Sequence, residues 1–194
     1  EVGTMTLSNV PVMIKAPALR GLPKRETESF SPLALGMSMV IDYGARKLTL
    51  GRTLPSEEVE IRLPMRHHRL SLVKALINGE HPTYFVVDTG GEVISISTAT
   101  AEAINAQPER RISLRVYGTS GWDRDAFLLP GINLRFAQAI DFRNFAVVVL
   151  NLRAPSVLLG FEVGGIVGHR FLSPYRVALG LDRSELRMSR AVTS

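Results

Sequence analysis

Phe85-Val86-Val87-Asp88-Thr89-Gly90-Gly91 runs an apolar strand directly into Asp-Thr-Gly, and a second strand-like run, Val93–Ile96, resumes after Glu92. A carboxylate at the end of an apolar strand is costly unless it is paired or hydrogen-bonded. Thr89 and Gly90 permit a tight turn whose hydroxyl and backbone N–H groups are directed at the Asp88 side chain. The same residues also make an ordinary β-turn, in which Asp and Gly are common. Taken alone, the stretch leaves a site and a plain turn both open.

Outward from it, short runs of Val, Ile, Leu and Phe are separated by 16 Gly and 11 Pro, the punctuation of an all-β chain. Arg69–Ile77 and Tyr84–Val87 flank Asn78-Gly79, a strong hairpin signal. Ser97–Ala106 is the one clear helix, with Thr98 suited to the N-cap and Pro108 beyond its end. Arg111–Tyr117 alternates with period two, and further strands are predicted at Asp125–Leu129, Asn133–Phe136, Phe145–Leu150 and Val157–Leu159. A short turn or helix near His169–Ser173 leads to a last hairpin, Val177–Leu181 and Glu185–Met188. Towards the start, Thr4–Leu7 and Val10–Ile14 read as strands, and Met37–Asp42 with Lys47–Leu50 as a hairpin. The stretch from Gly51 to Arg66, with Pro55, Pro64 and Glu57-Glu58, reads as a linker or connecting strand.

Composition removes several classes. With 45% hydrophobic and 21% charged residues over 194 positions, the chain is neither a disordered tail nor a collagenous repeat. Zero Cys excludes disulfides, thiolate metal sites and a cysteine nucleophile, but names no compartment. The longest uncharged apolar stretch, Phe145–Leu150, falls far short of the ~20 residues that a spanning helix needs, so no membrane span is expected. The first residue is Glu1 rather than Met, which reads as a processed or trimmed product. A net charge of +5 is scattered along the chain without an aromatic-lined stripe, and no nucleic-acid partner is expected. His67 and His68 are adjacent and point to opposite faces of a strand. His81, before Pro82, reads as a turn residue, and no metal or cofactor is expected. No Gly-x-Ser-x-Gly, P-loop or dinucleotide fingerprint is present.

Two segments repeat. Ser8–Ile14 can be laid on Arg143–Val149, and Met39–Leu50 on Val177–Met188, in the same order and at offsets of 135 and 138 residues. This reads as a tandem duplication whose first copy lacks its front half.

The Asp88 stretch, taken with these landmarks, resembles the active-site motif of the retropepsin-like family of aspartic proteases, in its bacterial branch. That family has a second signature, two apolar residues and Gly leading into a short helix, matched here by Ile166-Val167-Gly168 before His169-Arg170-Phe171-Leu172. Gly118-Thr119-Ser120-Gly121 stands where the family places its glycine-rich flap. The resemblance spans roughly Arg69 to Met188. It departs from the family at His169, where Arg is usual, and at Gly91-Glu92.

The resemblance implies an all-β fold: a closed acid-protease-type β-barrel lobe with one short helix over residues 67–194. A linker at 53–66 and the back half of a truncated similar lobe at 1–52 precede it. It implies an endopeptidase acting on peptide or protein substrates, with Asp88 catalytic and Thr89 and Gly90 holding its carboxylate. Gly118, Thr119, Ser120 and Gly121 would cover the substrate, and Ile166, Val167 and Gly168 would form the structural signature. Such chemistry needs two carboxylates sharing one proton. Of the six Asp residues only Asp88 lies in the motif, so the second must come from a homodimer partner or a missing upstream lobe. The alternative is an inactive module for peptide binding or dimerisation.

Overall fold

The computed structural model describes residues 6, 8–10, 31–54, 59–67, 70–105, 111–118 and 121–190. The strands expected at Thr4–Leu7 and Val10–Ile14 lie almost wholly outside them. Pro32–Ser194 forms one compact unit, and the following concerns that unit.

After a 3-10 turn at Pro32–Leu35, strands β1 (Ser38–Asp42) and β2 (Lys47–Gly51) make a hairpin. β3 (Ile61–His67) pairs through its first half with β14 (Glu185–Arg190) and through its second with β4 (Ser71–Ile77). Then come β5 (His81–Val87), β6 (Ile94–Ser97), helix α1 (Thr98–Ala103), β7 (Ile112–Ser113), and the small hairpin β8 (Val116–Gly118) and β9 (Gly121–Asp123). The long strands β10 (Phe127–Phe136) and β11 (Ile140–Leu150) follow. Helix α2 (Arg153–Leu159), β12 (Gly165–Val167), helix α3 (His169–Leu172) and the hairpin of β13 (Tyr175–Gly180) with β14 complete the chain.

The pairing order β4-β5-β12-β6-β11-β10 closes on itself, because β10 also pairs with β4 through Leu134↔Ile77 and Arg135↔Leu76. A closed ring has no free edge, and its interior is filled by the inward side chains of each strand. Ile77, Phe85, Ile96, Leu134, Phe136, Val147, Val149 and Val167 are each fully buried. The Phe136 ring lies 4.7 Å from Phe171 and 5.4 Å from Phe85, so α3 plugs the core as well as following the signature. The fold is the expected all-β closed lobe.

Several expectations change. Among the described residues three short α-helices stand in place of the single one expected. Val157–Leu159, read as a strand, lies in α2, where Pro155 is tolerated in the first turn and Gly160 ends the helix at φ 74°. The N-cap of α1 is Ser97, not Thr98: the Ser97 Oγ accepts the Thr100 N–H at 2.9 Å. The two strands read at Asp125–Leu129 and Asn133–Phe136 are one strand with a register shift between Leu129 and Ile132. His81 opens β5 instead of sitting in a turn. Within the stretch read as linker or connecting strand, Ile61, Leu63 and Met65 alternate inward on β3. No helix among the described residues is long and apolar enough to cross a membrane.

Candidate active site

β5 is buried through Phe85, Val86 and Val87 and delivers Asp88 to the end of the ring, where it is half-buried. β12 lies parallel beside it, pairing Gly165↔Phe85, Ile166↔Val86 and Val167↔Val87. The pairing extends one step further, for the Asp88 N–H donates to the Val167 carbonyl at 3.0 Å. The two motifs singled out in the sequence, 78 positions apart from Asp88 to Ile166, are thus neighbouring strands.

The carboxylate is held from its own loop. Its Oδ1 accepts the Gly90 N–H at 2.9 Å, and the Gly91 N–H donates to the Asp88 carbonyl at 3.3 Å. A side chain at Gly91 would place its Cβ 2.9 Å from the other carboxylate oxygen, so glycine keeps Oδ2 open. Thr89 is exposed and gives Asp88 no hydrogen bond among the described residues.

The signature clasps the far side of this loop. Gly168 is the N-cap of α3, and the two N–H groups that follow point at the loop: His169 donates to the Gly91 carbonyl at 2.6 Å and Arg170 to the Glu92 carbonyl at 3.0 Å. A Cβ on Gly168 would strike the Gly91 carbonyl group, which explains glycine there by close approach rather than by backbone angle. Behind the loop, the Thr100 hydroxyl donates to the Gly164 carbonyl at 2.9 Å and ties α1 to the start of β12.

The expected flap residues fall on a separate two-stranded hairpin, β8–β9, in which Gly118 pairs with Gly121; Thr119 and Ser120 lie outside the described residues. The Tyr117 and Trp122 rings meet edge-on at 5.2 Å, with Trp122 half exposed. Asp123 anchors the base, its carboxylate accepting the Asp125 and Asn151 N–H groups at 3.1 and 2.8 Å. Sequence reasoning missed this anchor, since nothing in the spacing of Asp123 and Asn151 marks them as partners.

Three of the other Asp carboxylates are engaged elsewhere. Asp42 accepts the Ala45 N–H and faces Arg176 at 3.6 Å. Asp141 pairs with Arg143, and Asp182 lies 4.0 Å from Arg183. Among the described residues no three His, Asp or Glu side chains converge as a metal site.

A family model described as "gag-polyprotein putative aspartyl protease" matches residues 73–163. No curated protein matches the chain significantly in sequence. Among solved structures the chain is similar to the EIAV protease complexed with the inhibitor HBY-793, at 17% identity over 54% of this chain and 86% of that one, TM-score 0.41. It is similar to a retropepsin-like aspartic protease from Rickettsia conorii, at 17% identity over 70% and 96%, TM-score 0.44. It is also similar to the retroviral protease-like domain of Ddi1 from Leishmania major, at 14% identity over 66% and 98%, TM-score 0.43. The matched segment holds Asp88 and, in whole or part, β4, β5, β6, β10 and β11 of the closed ring, so the likeness to that aspartyl protease family falls on the lobe that carries the Asp88 loop.

Proposed function

We propose that the lobe is one half of an aspartic endopeptidase in which Asp88 supplies one of two carboxylates. The observation that carries this reading is the Asp88 loop itself. One carboxylate oxygen is fixed by the Gly90 N–H, the other is left open by Gly91, and the whole turn is clasped by Val167, Gly168 and His169. A fixed carboxylate with an open oxygen suits a group that must hold a water and exchange a proton.

Two such groups close together share one proton. The ionised carboxylate takes a proton from the water as it attacks the peptide carbonyl, and the protonated one donates to the carbonyl oxygen, so charge does not accumulate on either side. Gly90 and Gly91, through their N–H groups, keep the loop tight around this carboxylate. The β8–β9 hairpin covers the substrate, its Trp122 and Tyr117 rings offering apolar surface to an extended peptide. Ile166, Val167 and Gly168 hold the loop without touching the substrate. The second carboxylate comes from a second copy of the chain or from a further lobe of the same polypeptide.

The test is cleavage of a mixed peptide library, from acid to neutral pH, by an assembly holding both carboxylates. Cleavage follows a bell against pH, since the pair works only with one proton between its two members. Asp88→Asn keeps the shape and abolishes cleavage. Peptide binding without cleavage by the intact assembly would instead mark an inactive binding module.

A further inference from the structure

The hairpins β1–β2 and β13–β14 are one structure used twice. Met39↔Leu50 in the first matches Val177↔Met188 in the second, and Asp42↔Lys47 matches Gly180↔Glu185. Both turns end on a left-handed residue at the matching place, Arg46 at φ 51° and Ser184 at φ 52°. A helical turn precedes each, at Pro32–Leu35 and at His169–Leu172. Further back, Asn9 and Asn144, which the sequence repeat lays on each other, are both left-handed, at φ 56° and φ 50°.

The two hairpins also pair with each other, and the register is symmetric. Val40 faces Ala178, its own counterpart; Met39 faces Leu179, and Ile41 faces Val177, the counterparts of Ile41 and Met39. An antiparallel pair in which each residue meets the equivalent of its partner's partner has a local two-fold axis, here between Val40 and Ala178.

That axis maps β14 onto β2, and the two strands differ in one respect. β14 is covered by β3, from Ile61↔Met188 to Pro64↔Glu185. β2 is the last strand of its sheet among the described residues. Leu186 on β14 is fully buried, whereas its counterpart Leu48 is 46% exposed. Among the described residues the apolar residue is repeated and its cover is not. An open edge of this kind is a template for one more strand.

We infer that the open edge of β2 receives a strand equivalent to β3 from a second lobe, built like β3–β14 and carried by the same polypeptide ahead of β1. The hairpin β1–β2 is the closing hairpin of that lobe. A second copy of the chain does not fit the place, because the edge of β13 that it would need is occupied by β1, and its β3 already pairs with its own β14 and β4. The hairpin also reaches the site: the Tyr43 ring in its turn meets His169 edge-on at 5.1 Å, and His169 is bonded to the loop of Asp88. Resting on the proposed protease reading, the inference makes this lobe, not a homodimer, the source of the second carboxylate.

The test compares the 194-residue chain with a two-lobed polypeptide in which residues 61–143 are joined directly ahead of Asn9, completing the first copy at the Asn144 equivalence. The two-lobed polypeptide sediments as a monomer, and its Leu48–Leu50 amides facing away from β1 exchange roughly 100-fold more slowly than in the shorter chain. Equal exchange in the two folded proteins overturns the inference. The shorter chain is an independent test should the longer one not fold: it is monomeric at micromolar concentration with fast-exchanging β2 amides. A dimer protecting those amides overturns the inference in favour of a second copy. Protection without peptide cleavage upholds the docking and counts against the protease reading; cleavage without protection does the reverse.

Discussion

The backbone N–H of His169 donates to the Gly91 carbonyl at 2.6 Å, which fastens the first turn of α3 to the loop that carries Asp88. Because α3 is in turn packed into the core through Phe171, the position of the carboxylate is set by the hydrophobic interior rather than by the loop alone.

Gly168→Ala forces the helix and the loop apart, since the new Cβ would lie 2.6 Å from the Gly91 carbonyl carbon and 3.0 Å from the Val93 oxygen. Overpacking of this kind costs about 1–3 kcal/mol. Urea denaturation measures that loss, and the two-carboxylate assembly bearing the change cleaves peptides at least tenfold more slowly. Unchanged stability and rate would mean that the clasp does not position Asp88.

Phe171→Ala removes a ring that is 1% exposed and within 4.7 Å of Phe136. Truncating a buried Phe costs about 3–5 kcal/mol, a large part of a small domain's stability. The variant's thermal and chemical midpoints report it, and a loss below about 1 kcal/mol would show that α3 is not seated in the core.

Ser97→Ala deletes the N-cap of α1 and orphans the Thr100 N–H that it accepts at 2.9 Å. The cost is about 1 kcal/mol. Thr98→Ala, one residue on, leaves the cap intact and costs less; the reverse ranking in denaturant titrations would restore Thr98 as the cap.

Tyr43 has a buried hydroxyl with no hydrogen-bond partner among the described residues, and burial raises its pKa above the ordinary 10.0. The folded chain keeps this proton at a pH where the unfolded chain has lost it. Stability from this group is therefore complete below pH 10.0 and is lost as pH rises through the raised value. Tyr43→Phe removes that alkaline loss and gains about 1 kcal/mol at neutral pH by deleting an unsatisfied group. A destabilised Phe variant would reveal a partner for the hydroxyl.

What was legible in the sequence follows from how each element meets the core. The hairpins at Met37–Leu50 and Val177–Met188 are marked by apolar runs on either side of short polar turns rather than by alternating burial, which β1, β2, β13 and β14 do not show. Asp-Thr-Gly and Ile-Val-Gly could each be read locally, and the parallel pairing of β5 with β12 joins them. α2 was misread because Val157 and Leu158 are both 73% exposed, so no core face imposes a helical period on them. β3 was hidden by Glu60, Arg62, Pro64 and Arg66, which mask the inward alternation of Ile61, Leu63 and Met65. The anchor of the β8–β9 hairpin at Asp123 depends on a backbone N–H at Asn151, and backbone donors leave no mark on side-chain identity.

Asp88 as one of two catalytic carboxylates is tested most directly by a single parallel assay. The two-lobed polypeptide and its Asp88→Asn variant are incubated with the same mixed peptide library across acid to neutral pH, and new termini are counted by mass spectrometry. The account predicts cleavage with a bell-shaped pH dependence by the first and none by the variant, with both equally folded by circular dichroism. Equal cleavage by the two proteins, or no cleavage by a folded polypeptide that holds both carboxylates, would contradict it.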